Sequence, residues 1–113
     1  MKQLLTSPEV LVITPGKTLD NHNAPEMVSG LVSAQSAGVK FVIIDMAQVE
    51  FISSAGVGSM LGTVKMFKEV GGDLILCNVP SPVLQVLKVL DLDTFFTTRN
   101  TKADALALTE VHA

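Results

Sequence analysis

The sequence predicts an α/β domain on a mostly parallel, mixed β-sheet of about five strands, with about four helices in the order ββαβαβαβα. Three observations carry that prediction. Short runs rich in Val, Ile, Leu and Phe alternate with longer segments of helical spacing, the pattern of parallel strands joined by crossover helices. Two of the runs, Phe41-Val42-Ile43-Ile44-Asp45 and Leu74-Ile75-Leu76-Cys77, are continuously apolar, as central strands covered on both faces are. The chain has 113 residues, 48% of them hydrophobic, which is the size and apolar content of one domain spanning 1–113.

Each element follows from local chemistry. Leu4-Leu5-Thr6 and Val10-Leu11-Val12-Ile13 read as two strands split by the turn at Ser7-Pro8, and Pro15-Gly16 ends the second. Leu19-Asp20-Asn21-His22-Asn23 is dense in helix-capping residues. Pro25 suits a first helical turn, and Met27, Leu31 and Ala34 keep helical spacing until Gly38. After the Phe41–Asp45 strand, Ser53-Ser54 opens a second helix running to about Val70, which Gly71-Gly72 closes. Leu74–Cys77 is the next strand, and a third helix runs from Val83 to Leu90, flanked by Pro80 and Pro82. Phe95-Phe96-Thr97-Thr98 reads as a short last strand, followed by a helix from about Thr101 to Glu110. There are no repeats, linkers or low-complexity tracts.

Composition narrows the function classes. The net charge is −3 and the basic residues are scattered singly, so neither nucleic acid nor an anionic membrane is expected as a partner. The longest apolar runs are far short of a membrane span. The single cysteine, Cys77, precludes an internal disulfide and fits a reducing, cytoplasmic home. No signal peptide is evident.

The informative segment is Asp45 to Gly62, which contains Phe51-Ile52-Ser53-Ser54-Ala55-Gly56-Val57-Gly58. It resembles the signature of STAS domains, especially the bacterial anti-sigma factor antagonists: a strand ending in Asp, a short loop, an aromatic and an aliphatic residue, then Asp-Ser-Ser/Ala/Thr-Gly-Leu-Gly. The likeness extends more weakly over most of the chain, through Leu19-Asp20, Gly71-Gly72, Pro82-Val83 and Leu92–Phe96.

The resemblance implies a partner switch. In that family the serine after the Asp is phosphorylated by a cognate serine kinase of the histidine-kinase ATPase fold, itself the anti-sigma factor, and a PPM-type phosphatase reverses the change. The matching position is Ser54. Ser53 stands where the family has Asp, so either of two adjacent hydroxyls is open to modification, and Ser54 holds the family's slot. The resemblance also sets Asp20 and Asp45 near the site, as an acidic rim. A constitutive STAS interaction module, serving a signalling scaffold or lipid-transport complex, is the alternative reading.

The residues support such a site without the family. A helix opening leaves backbone N–H groups unpaired at the positive end of its dipole, where a phosphate of about −1.5 to −2 charge is tolerated. The plainer alternative is that Ser53 or Ser54 is only a helix cap. On a helical wheel Val57, Met60, Leu61, Val64 and Phe67 form the stripe facing the sheet, while Ser54, Gly58 and Gly62 share an adjoining side with Met66 just beyond. Glycines four apart weaken a helix by roughly 1 kcal/mol each. Either they clear a path for a partner, with Met66 as an adaptable contact, or they let a neighbouring helix pack close. The partner surface expected is therefore Asp20, Ser53, Ser54, Gly56, Gly58, Gly62 and Met66.

Other chemistries lack support. Cys77 lies in a strand and reads as core; His22 and His112 have no partner at a metal or catalytic spacing. Gly56-Val57-Gly58 with Gly62 is neither a dinucleotide fingerprint nor a P-loop, and Ser54 has no evident base. A response-regulator receiver would need an acidic pair around Asp20 and a lysine near Thr97-Thr98-Arg99, and the chain has neither. No enzyme activity, metal or cofactor is expected.

Overall fold

The computed structural model describes residues 1–110; the expectations that fell on His112 and on the domain's last residues lie outside these. The chain forms β1 (Lys2–Ser7), β2 (Val10–Thr14), β3 (Thr18–Leu19), α1 (Ala24–Ser36), β4 (Phe41–Asp45), β5 (Phe51–Ile52), α2 (Ser54–Lys68), β6 (Asp73–Cys77), α3 (Ser81–Val89), β7 (Thr97–Arg99) and α4 (Lys102–Glu110). Five strands make one sheet in the order β1-β2-β4-β6-β7. Among the described residues only the β1–β2 hairpin is antiparallel; Val10 pairs with Phe41, Ile43 with Ile75 and Ile75 with Thr97 in parallel register.

Period-two alternation splits the apolar runs between two layers. Leu11, Ile13, Val42, Ile44, Leu74 and Leu76 face one side, where they pack with Leu31 of α1, Val64 of α2 and Val83 of α3. Val10, Val12, Phe41, Ile43, Ile75 and Cys77 face the other, where Ala105 of α4 meets them. Three crossover helices therefore cover one face and α4 the other. That arrangement explains why the central strands are apolar throughout.

Four expectations need correcting. A second, two-stranded parallel ladder pairs Thr18 with Phe51 and Leu19 with Ile52, in stretches that carry no strand periodicity. The last strand begins at Thr97: the main-chain N–H groups of Phe95 and Phe96 turn back to the carbonyl of Leu92, and Phe96 is buried while Phe95 lies outside. The third helix starts at Ser81, because Pro82 occupies its first turn, where a missing N–H costs nothing. The second helix ends at Lys68, with Gly71 in the left-handed region at φ 82° beyond it. Gly72 then passes so close to the carbonyl of Lys40 that no side chain fits.

Candidate functional site

The small β3–β5 ladder brings two distant loops together at the start of α2. Ser53 is extended at φ −92° and ψ 171°, and its Oγ accepts the N–H of Gly56 at 3.3 Å, so Ser53 is the N-cap. Its own N–H donates to the carbonyl of Leu19 at 3.0 Å. Of the two adjacent hydroxyls, then, the first is committed to holding the helix.

Ser54 is the first residue inside the helix. It is exposed, and none of the described residues hydrogen-bonds its hydroxyl. No acidic residue lies in the first turn, so the positive dipole end is uncompensated there.

Asp20 sits next to the Leu19 carbonyl and is half-buried. Its Oδ1 accepts the N–H of His22 at 2.9 Å, and its main-chain N–H donates to Oδ1 of Asn23 at 2.8 Å. The Asn23 amide also donates to the carbonyl of Thr18 at 2.7 Å. This bracing fixes the loop between β3 and α1 beside the α2 start. Asp45 accepts at Oδ1 from the N–H of Ala47 at 3.2 Å and from Nδ2 of Asn78 at 3.0 Å. It thereby ties together the loops after β4 and β6.

The glycines divide. At Gly58 and Gly62 a Cβ would meet nothing within 4 Å, and both positions are exposed. Close packing against another helix of this domain does not explain them. Gly56, grouped with the partner-facing residues on sequence, is buried; a Cβ there would stand 2.5 Å from the Leu19 carbonyl oxygen. Its role is to let α2 approach β3. Met66 is half-buried, packing partly against the core, and Nε2 of Gln35 in α1 donates to its carbonyl at 2.9 Å.

One part of the surface escaped the sequence reading. Ser54, Gln85, Val86, Val89 and Leu90 line a shallow groove of about 360 Å³. Val89 is 81% exposed and Leu90 48%, with Phe51 of β5 also outside at 56%. The signal was present in the sequence: Val83, Leu84, Val86, Leu87, Val89 and Leu90 are too many apolar residues for one buried stripe of a short helix.

Cys77 is fully buried, and burial, with a smaller contribution from the Asp45 carboxylate, pushes its thiol up to about 11 against a partial offset from Lys102. Such a thiol is protonated and inert near neutrality. Among the described residues no group of His, Cys, Asp and Glu could hold a metal, and no helix is long and apolar enough to cross a membrane.

Comparison with known proteins agrees with this geometry. The STAS domain family model matches residues 1–105. The chain is 27% identical over 89 residues to BtrV of Bordetella bronchiseptica, provisionally assigned as an anti-sigma factor antagonist; the match covers 79% of this chain and 77% of BtrV. It is 25% identical to the anti-sigma F factor antagonist of Paenibacillus polymyxa, over 90% of this chain and 88% of that one. Among solved structures, the anti-sigma factor antagonist SpoIIAA in its unphosphorylated form superposes with a TM-score of 0.86 at 24% identity, covering 96% of this chain and 95% of SpoIIAA. The Bacillus SpoIIAA structure in its phosphorylated form gives 0.77 at 23% identity, covering 96% and 97%.

Proposed function

Since the chain belongs to the STAS domain family, we propose that it is an anti-sigma factor antagonist whose hold on its partner is set by phosphorylation of Ser54. One observation carries the choice of residue: Ser53 spends its hydroxyl on capping α2, while the hydroxyl of Ser54 stands exposed with no partner among the described residues. The names of the relatives support the general role, and SpoIIAA, which has this fold, has been solved with and without a phosphate.

In this reading the unmodified chain binds a serine-kinase anti-sigma factor of the histidine-kinase ATPase fold, and the sigma factor is freed for transcription in the cytoplasm. The kinase moves the γ-phosphoryl of ATP to Oγ of Ser54. The β–γ phosphoanhydride bond breaks, the O–P bond forms, and the hydroxyl proton is lost. A PPM-type phosphatase hydrolyses the ester and resets the switch. The docking surface comprises Asp20, Ser53, Ser54, Gly58 and Gly62, extended by the α3 groove.

Incubation with the cognate kinase and ATP, followed by peptide mapping, tests this. A single phosphate on Ser54 is expected, with Ser54→Ala binding the kinase constitutively. A phosphate on Ser53 would refute the assignment. No phosphate at all with a verified kinase would instead favour a constitutive STAS interaction module.

A further inference from the structure

We propose that the apolar groove beside Ser54 seats an apolar side chain of the kinase, and that a phosphate on Ser54 releases that partner by making the groove unfit to be covered. The inference rests on the reading of Ser54 as the modified residue. It differs from release by charge repulsion, in which a phosphate would push away an acidic partner surface.

The occupant follows from position. Ser54 forms one wall of the groove, and Val86, Val89 and Leu90 form the rest with Gln85. In the proposed contact a kinase that brings a nucleotide to bonding reach of the Ser54 oxygen also lies over these residues, because Ser54 is itself part of the groove lining. Val89 and Leu90, exposed at 81% and 48%, are then covered by whatever surface it presents. Among the described residues no charged side chain lines the groove, so neither a salt bridge nor a fixed counter-charge from these would organise the contact. Apolar burial is the attraction this wall offers.

The same property makes the groove sensitive to modification. A phosphoserine carries about −1.5 to −2 charge and three strong acceptor oxygens. Left open, those oxygens are met by water and by the free N–H groups at the α2 start. Covered by an apolar side chain, they lose their water and keep the N–H groups of the α2 start, while among the described groove side chains only the Gln85 amide can donate to them. These few donors do not replace the water shell of a doubly charged group, and burial of an under-partnered ion is strongly unfavourable. This penalty arises from desolvation, so added salt does not remove it. Repulsion between surface charges is screened, because the Debye length falls from ~10 Å at 0.1 M to ~3 Å at 1 M.

Binding titrations of the purified kinase against wild type, Val89→Ser and Ser54→Glu, at 0.1 M and 1 M NaCl, decide the matter. Val89→Ser should keep the wild-type melting temperature and bind at least about tenfold more weakly, the loss expected for one buried valine. Ser54→Glu should bind poorly, and its deficit relative to wild type should recover less than about tenfold at the higher salt, where screening is nearly complete. Wild-type affinity in Val89→Ser, or recovery of tenfold or more in Ser54→Glu, overturns the proposal and leaves the kinase reading standing. Failure of the unmodified wild type to bind overturns the kinase reading itself, and the groove proposal falls with it.

Discussion

The main-chain N–H of Ser53 donates to the carbonyl oxygen of Leu19 at 3.0 Å, and this one bond suspends the start of α2 from the end of β3. The same oxygen lies 2.5 Å from where a side chain at Gly56 would begin. Gly56→Ala therefore cannot be accommodated without moving backbone. It should cost roughly 1–3 kcal/mol in chemical denaturation, the usual effect of overpacking. A variant as stable as wild type would show that α2 can shift away from β3 at little cost.

Ser53 is expected to matter for stability rather than as a phosphoacceptor. Ser53→Ala removes the cap to the Gly56 N–H and should cost about 1 kcal/mol. Ser53→Asp keeps a capping oxygen and adds a negative charge to a first turn that has none. It should match wild type or exceed it by about 0.3–1 kcal/mol at low salt. Ser54→Asp, one position further in, should also stay within about 1 kcal/mol of wild type in thermal melts. Should the acidic Ser54 variant unfold, the switch would be a folding event.

Gly62 offers the opposite test to Gly56. With nothing within 4 Å of its missing Cβ, Gly62→Ala should hold or raise stability by up to about 1 kcal/mol, through helix propensity alone. Gly62→Leu should melt near the wild-type temperature and abolish binding of the kinase. Retained binding by the leucine variant would confine the docking surface to the loops around Ser53 and to α3.

Cys77 gives a pH-dependent prediction. Its native thiol titrates near 11 against an ordinary value of 9.0, because the ionised form is poorly solvated inside. The unfolded chain releases this proton first, so the thiol's contribution to stability is complete below pH 9 and declines as pH rises towards 11. In the native protein a thiol reagent at pH 8 should label Cys77 only at the rate of opening, and denaturant should speed labelling sharply. Rapid native labelling would mean that β6 is less well covered than its burial indicates.

How much was legible in the sequence depended on whether the evidence was local. Phe41–Asp45 and Leu74–Cys77 announced themselves because burial on both faces demands unbroken apolar residues. The Ser53-Ser54 helix start was equally plain from capping chemistry. By contrast, Thr18–Leu19 and Phe51–Ile52 are strands only because they find each other, and two residues carry no period. Phe95-Phe96 has strand propensity, but Phe96 is drawn into the core and sets a turn against Leu92 instead. Gly56 was grouped with Gly58 and Gly62 as partner-facing, although on a helical wheel it falls beside Met60 and Phe67 on the stripe that faces inward. What the periodicity of α2 could not reveal is the oxygen from a remote part of the chain that forbids any side chain there.

That remote oxygen has a consequence for how the protein is recognised while it is being made. The Ser54 platform is assembled from β3, β5 and the ends of α2 and α3, so it has no counterpart in the linear sequence. The pairing of β3 with β5 spans α1 and β4 in the chain, and non-local pairings of this kind form slowly. A nascent or heat-damaged chain would still contain the Ser-Ala-Gly-Val-Gly pentapeptide, yet would display neither the braced loop nor the groove. Any enzyme that docks on the assembled surface would pass over such chains, and a short synthetic peptide spanning Ser54 should be a far poorer substrate than the intact domain. The modification would then report on molecules able to bind, and misfolded copies would remain silent in the signalling circuit.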